Sequence, residues 1–213
     1  MKEIVIIGFG GFGREVAVLA KDCGYSVLGF LDDKATSHDD GGGVILGSID
    51  QWGEFPNVKF VVAIGNPRTR KLVVDRMSRL GSPSFATLIH PSVIMSSSVR
   101  VGVGSVVCAN CVFTVDIYVG EHTILNINVV TGHDVVIGSF VTAAHLVGIS
   151  GNVVVEAGVE LGASSVIRQG ITLKRGAMLG MGAVLTKDAE ENNVYVGSPA
   201  KVLKDLSEFP ADF

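Results

Sequence analysis

From Ile89 to Leu185 the chain reads IHPSVI MSSSVR VGVGSV VCANCV FTVDIY VGEHTI LNINVV TGHDVV IGSFVT AAHLVG ISGNVV VEAGVE LGASSV IRQGIT LKRGAM LGMGAV L, an unbroken run of hexads. The first place in each hexad is large and apolar, from Ile89, Met95, Val101 and Val107 to Leu173, Leu179 and Leu185, with only Thr131 and Ala143 falling short. The fifth place is smaller, as at Val93, Ser105, Cys111, Thr123 and Ala183, and Gly often takes the second, as at Gly102, Gly120, Gly132, Gly138, Gly162 and Gly180. Neither the helical period nor a simple alternation gives a beat of six, whereas hexapeptide repeats of a parallel β-helix do. Three hexads then close a triangular coil of about eighteen residues, and coils stack at roughly 4.8 Å. The large residues fill the interior. The glycines are expected where a Cβ would clash or demand an unfavourable φ. Residues eighteen apart should lie above one another in a prism of about five coils.

Towards the N-terminus the pattern changes. Lys2 to Ile7 is β-branched and apolar and runs into Gly8-Phe9-Gly10-Gly11-Phe12-Gly13, after which residues 14–23 have helical periodicity through Val16, Leu19 and Ala20. Strand, glycine turn and helix open a mononucleotide-binding unit. A second strand over residues 26–31 ends in Asp32-Asp33, and residues 34–43, with His38, read as a mobile surface loop. A short helix is expected over residues 50–55, a third strand over 59–64 closing on Gly65-Asn66-Pro67, a helix over 68–80 and a strand over 84–88. The first 87 residues thus form a Rossmann-like α/β half domain. Its ligand belongs at the carboxyl ends of the strands, where Gly10, Gly11, Phe12, Asp32, Asp33 and Asn66 converge. Glycines let backbone approach a phosphate, the helix N-terminus offers amides, and the carboxylates can accept from ribose or sugar hydroxyls. The prism occupies residues 88–186. Residues 187–213, with a turn at Gly197-Ser198-Pro199, are expected to cap its open end and finish in a loose tail around Phe213.

The 213 residues suffice for one large or two small domains, and their 47% apolar content is too interspersed for a membrane span. A formal charge of −4 without a basic cluster argues against nucleic acid as a main partner. Three cysteines, Cys23, Cys108 and Cys111, and a start that enters a strand at once suit a reducing cytoplasm. Cys108-x-x-Cys111 has the spacing of half a zinc site, yet the hexad frame turns Cys111 inward and Cys108 elsewhere, so both are read as structural and no metal is expected.

Five histidines offer candidate bases. His38 lies in the loop, His90 precedes Pro91 at the domain junction, His122 sits on a prism turn, and His133 and His145 remain. His133 follows the weakest core position, Thr131, by two residues and precedes Asp134, a carboxylate able to fix an imidazole tautomer. Neighbours on a regular strand point apart, so Asp134 reaches that ring only if the chain turns there or if it serves another subunit. One coil on from His133 is Gly151, whose amide would lie one strand spacing above and could donate to an oxyanion. His133 can also be read as a surface residue satisfied by Asp134, and His145 as structural or as facing a groove eighteen residues before Ala163.

The segments Ile4-Val-Ile-Ile-Gly-Phe-Gly-Gly-Phe-Gly-Arg-Glu-Val16, Gly29-Phe-Leu-Asp-Asp33, Ala63-Ile-Gly-Asn66, Leu88-Ile-His-Pro-Ser92, Gly132-His-Asp-Val-Val-Ile-Gly138 and Val196-Gly-Ser-Pro-Ala-Lys201 resemble, in order, the sugar acetyltransferases of the sialic-acid O-acetyltransferase and bacillosamine/perosamine N-acetyltransferase type. The resemblance implies a left-handed β-helix that forms a homotrimer, an N-terminal domain that holds a nucleotide-linked sugar, and acetyl-CoA in the groove between neighbouring prisms. It implies His133 as base and the Gly151 amide near the acetyl carbonyl, and it places Thr142, Ala163 and Met181 beside the cofactor. Lys187 and Lys201 are candidates for the CoA phosphates. Relatives often carry His where this chain has Phe12 and Thr142, and Asn or Glu where it has Gly132, which touches acceptor identity. Transfer of acetyl to an amino group is the expected reaction. O-acetylation of a sugar or sialic acid, a dinucleotide-dependent enzyme and a noncatalytic trimeric scaffold are the alternatives.

Overall fold

A computed structural model describes residues 2–34 and 43–211 of the chain. The expected loop around His38 and the end of the tail at Phe213 lie outside the described residues.

The N-terminal part consists of β1 (Lys2–Ile7), α1 (Gly11–Asp22), β2 (Tyr25–Leu31), β3 (Ile45–Gly47), a 3-10 helix (Ile49–Glu54), β4 (Lys59–Val62) and α2 (Pro67–Leu80). Its four strands are parallel in the order β3-β2-β1-β4. Burial on both faces explains the continuous apolar run of β1, where Ile4, Val5, Ile6 and Ile7 are fully buried. The helix α1 begins inside the glycine loop, three residues before the periodicity suggests, with Gly10 as its N-cap. Gly13 is required there by packing, because a Cβ would strike the Gly8 carbonyl. Asn66 caps α2 by accepting the Thr69 amide at 3.0 Å, and Pro67 occupies the first turn, where no amide is needed. The strand expected over residues 84–88 is reduced to one bridge between Phe60 and Phe85.

Leu88–Ile89 is already the first rung of the prism. Two-residue strands follow at every sixth residue and stack into three parallel sheets. The first face runs through Leu88–Ile89, Val106–Val107, Ile124–Leu125, Thr142–Ala143, Glu160–Leu161 and Met178–Leu179. The second contains Val130–Thr131 and Gly148–Ile149, and the third Tyr118–Val119 and Val136–Ile137. Partners differ by eighteen residues throughout, as in Ile124↔Thr142↔Glu160 and Thr131↔Ile149. Every first-place residue from Val107 to Leu185 is buried, including the exceptions Thr131 and Ala143.

The corners carry a second six-residue beat. Every sixth residue from Gly104 to Gly182 has positive φ, among them Asn110, Asp116, His122, Asn128, Asp134, Phe140 and Leu146. The second-place glycines have ordinary φ and serve close approach instead: a Cβ on Gly120 would stand 2.5 Å from the Ser139 amide, and one on Gly162 2.6 Å from the Met181 amide. Of the two reasons expected for these glycines, crowding between coils is the operative one.

The α/β domain docks on the first face, where Leu88, Val106 and Ile124 join Ile4, Val16 and Leu19 in one core. At the other end Asn193–Val196 and Lys201–Asp205 pair antiparallel and cover the last coil. The segment behind them is not loose. Phe209 is buried against Gly158 and Gly176, its ring lies 5.7 Å from the Arg68 guanidinium and 5.1 Å from that of Arg175, and Arg175 donates to the Pro210 carbonyl at 2.8 Å. None of the described helices is long and apolar enough to cross a membrane.

Candidate active site

His133 and Asp134 occupy the corner between the second and third faces, the corner opposite the face that carries the α/β domain. Asp134 is one of the left-handed residues, with φ of 56°, a conformation that short polar side chains tolerate best after Gly. That reversal brings its carboxylate back to the neighbouring ring, and Asp134 Oδ2 lies 2.8 Å from His133 Nδ1. A carboxylate only accepts, so Nδ1 carries the proton, and in the neutral ring Nε2 keeps its lone pair. The contact that regular strand geometry would forbid is therefore made within one chain.

The same corner one coil on is Gly151. Its backbone is held by the bond from Asn152 N–H to the His133 carbonyl at 2.9 Å, and a Cβ on Gly151 would stand 2.7 Å from His133 Nε2. The imidazole thus packs against the Gly151 α-carbon with its basic nitrogen on that side. Among the described residues the Gly151 amide donates to no backbone acceptor, and Gly132 on the coil below comes so near that its own Cβ would stand 2.6 Å from that amide. A base and an N–H donor therefore share one corner, with side chains of His133 and Asp134 58% and 56% exposed and open to a ligand.

The second half of the predicted site is a cavity of about 400 Å3 lined by Gly8, Gly10, Gly11, Phe12, Asp32, Asp33, Gly65 and Thr69 among others. Of the residues expected to hold the nucleotide sugar, all but Asn66 line this wall, and several are already engaged. Asp32 accepts the Phe9 amide at 2.8 Å and the Lys34 amide at 2.7 Å, fixing the glycine loop. Asp33 accepts the Ile49 amide at 3.0 Å and pairs with Arg76 at 2.6 Å. Asn66 is absent from the lining, since its side-chain oxygen caps α2.

The predicted cofactor contacts fall on different parts of the prism. Lys187 follows Leu185 at the corner of His133 and Gly151, and it is exposed. Ala163 and Met181 lie on the corner between the first and second faces, in one column with exposed His145, and Met181 is 82% exposed. Lys201 begins the capping strand. Thr142 belongs to the first face, and its hydroxyl donates to the Gly65 carbonyl at 2.6 Å.

Sequence reasoning missed the residue that joins the two halves. Arg70 is 1% exposed and spends its guanidinium on five carbonyls: Nε on His122 at 2.8 Å, Nη1 on Ile64 and Gly65 at 2.6 and 3.0 Å, and Nη2 on Phe140 and Val141 at 2.8 and 3.0 Å. Burial pulls its pKa down to about 9. An Arg on the apolar stripe of α2, in line with Val74 and Met77, is the signal that could have found it. His122 lies between Phe85 and Phe140, and burial followed by the Arg70 charge lowers its pKa to about 4, so it is a neutral packing group. Cys108 packs towards α1 while Cys111 faces the prism core, and burial pushes their thiols up to about 12 and about 11. Among the described residues no group of three or more His, Cys, Asp or Glu is placed to hold a metal.

A hexapeptide β-helix with an imidazole–carboxylate pair and a free amide on one corner, joined to a glycine-loop α/β domain, defines the class of hexapeptide-repeat acyltransferases. Comparisons agree. Residues 3–77 match the PglD N-terminal domain family. The chain is 36% identical over 114 residues to UDP-N-acetylbacillosamine N-acetyltransferase of Bacillus subtilis (strain 168), a match covering 51% of this chain and about half (52%) of that relative. Over nearly its whole length the fold superposes on the acetyltransferase domain of PglB from Neisseria gonorrhoeae FA1090 (29% identity, TM-score 0.86, 95% of this chain and 100% of that one). It does so equally on PerB from Caulobacter crescentus in complex with CoA and GDP-perosamine (28%, TM-score 0.87, 96% and 98%). The fold is the left-handed β-helix of hexapeptide-repeat acyltransferases, and the chain is related to the bacillosamine and perosamine sugar-nucleotide N-acetyltransferases.

Proposed function

We propose that this protein transfers the acetyl group of acetyl-CoA to the amino group of a nucleotide-linked amino sugar. The observation that carries the reading is the His133–Asp134 pair beneath the Gly151 amide. His133 Nε2 takes the proton as the amine attacks the thioester carbonyl, the new C–N bond forms, and the Gly151 N–H donates to the oxyanion. Collapse breaks the C–S bond, and the imidazolium returns the proton to the leaving thiolate, so CoA departs as the thiol. The nucleotide sugar is assigned to the cavity at the glycine loop, where backbone at Gly10 and Gly11 is open to phosphate. Lys187 and Lys201 are assigned to the CoA phosphates, and Ala163 and Met181 to its apolar arm.

One copy cannot complete this site, because the acceptor cavity sits on the first face and the base on the opposite corner. A homotrimer with each cleft shared by two copies resolves this. It is supported by the second face, whose outward residues Ile94, Val112, Val130, Gly148, Val166 and Val184 include no charge, with Ile94, Val130 and Val166 exposed. A cytoplasmic location is the corresponding reading of the free thiols.

The test is thiol release from acetyl-CoA with GDP-perosamine, a UDP-linked amino sugar and free sialic acid as acceptors, together with the sedimentation mass. Turnover confined to amino sugars and a trimer are expected. Turnover only with sialic acid would reassign the reaction to O-acetylation, and none with any acceptor would overturn it.

A further inference from the structure

We propose that Arg70 and Thr142 are positioning residues that set the height of the acceptor cavity along the prism, level with the gap between the base and the amide donor. The inference rests on the transfer reaction and shared cleft proposed above. Its basis is a coincidence of register. Thr142 is nine residues after His133 and nine before Gly151, half a coil in each direction. With coils spaced at roughly 4.8 Å, the Thr142 rung lies about 2.4 Å above one and about 2.4 Å below the other. Any rotation about an axis parallel to the prism preserves height. A neighbouring copy related in that way therefore presents its Thr142 level with this copy's His133–Gly151 gap.

Thr142 is where the acceptor cavity is pinned. Its hydroxyl donates to the Gly65 carbonyl at 2.6 Å, and Gly65 lines that cavity. The same carbonyl accepts from Arg70 Nη1 at 3.0 Å, with Ile64 beside it at 2.6 Å. The remaining Arg70 donors run to His122, Phe140 and Val141, all on the corner that precedes the Thr142 rung or its neighbour below. Arg70 therefore ties two carbonyls of the cavity floor to three of the prism, with every guanidinium N–H used. A loop bond of this kind could be kept by many arrangements, but a fully buried guanidinium shared between domains is costly unless its geometry is held closely. The arrangement fixes which coil the cavity faces. Neither residue touches the reacting atoms in this proposal. They act through Gly65, and their effect is on how the bound acceptor meets the thioester, where a misplacement of about 1 Å costs up to roughly a hundredfold.

Thr142→Val keeps the shape of the side chain and deletes one hydroxyl, and Arg70→Lys keeps a charge and loses the fork. For each, kcat and both KM values come from thiol release with the better of the GDP- and UDP-linked amino sugars. Calorimetry gives the affinity for that nucleotide sugar, and melting gives stability. For Thr142→Val we expect kcat to fall about tenfold, with calorimetric affinity and the KM for acetyl-CoA each within about twofold of wild type. The pH–rate midpoints should stay in place because His133 and Asp134 are untouched. Arg70→Lys should lower kcat further; if it does not fold, Thr142→Val alone decides. An unchanged kcat with a lowered melting temperature would reduce Thr142 to a structural tie and overturn the proposal. A raised KM for acetyl-CoA would overturn it in favour of a direct cofactor contact. Turnover by wild type with an unaffected variant defeats only this inference, whereas a wild type without turnover defeats the transfer reaction as well.

Discussion

Gly151→Ala adds one methyl group at the point where base and donor meet. Gly151 is not among the glycines with positive φ, so alanine fits the backbone and any effect arises from the new Cβ itself. That atom would stand 2.7 Å from His133 Nε2 and 2.8 Å from Cε1. Ordinary contact begins near roughly 3.5 Å, so the ring must retreat by about 0.8 Å or rotate out of the bond to Asp134. Displacement of that size at a base costs about tenfold to a hundredfold in kcat. The fold should hardly notice, because the His133 side chain is 58% exposed and can move into solvent. Steady-state thiol release should show a fall in kcat with little change in KM for acetyl-CoA, while melting stays within about 2 °C of wild type. A kcat within twofold of wild type, with alanine confirmed at the position, would mean that the imidazole over Gly151 is not the working base.

Three further outcomes follow from other parts of the molecule. His133→Ala should leave a folded protein and lower turnover by about a hundredfold or more, measured at saturating acetyl-CoA; an unchanged rate removes it as base. His122, whose folded pKa of about 4 lies below its ordinary 6.5, must gain its proton against burial and Arg70, so its contribution is full above pH 6.5 and is lost as the pH falls towards 4. Denaturant titration should show stability falling by about 3 kcal/mol across that interval, and His122→Asn should remove this component. Phe209→Ala should cost about 3 kcal/mol by emptying the space between Arg68, Arg175, Gly158 and Gly176, lowering the melting temperature by about 6–12 °C; no shift would show that the C-terminal segment is not part of the packed structure.

The sequence by itself determined the prism, its eighteen-residue coil and the α/β domain before it. Backbone period is a local property, repeated along the chain and readable from Val107, Phe113 and Leu125 without knowing what lies opposite. It also determined that His133 and Gly151 share a corner, since stacking follows from counting. One further signal was present and not used: the fourth place of each hexad, with Gly104, Asn110, Asp116, Asn128 and Asp134, is rich in residues that tolerate positive φ. It foretells the reversal that lets Asp134 reach His133.

Only the tertiary structure decided how the two domains divide their polar groups. Asn66, Asp32 and Asp33 read as ligand contacts; Asn66 turns out to cap α2, while Asp32 and Asp33 line the cavity and also hold the glycine loop and Arg76. Thr142 read as a cofactor neighbour, and only the packed structure shows that its hydroxyl serves Gly65. Which donor meets which acceptor depends on where one folded unit comes to rest on another. That choice is set by the packing of Leu88, Val106 and Ile124 under the α/β core and by Arg70 between them, over sequence separations that no repeat encodes.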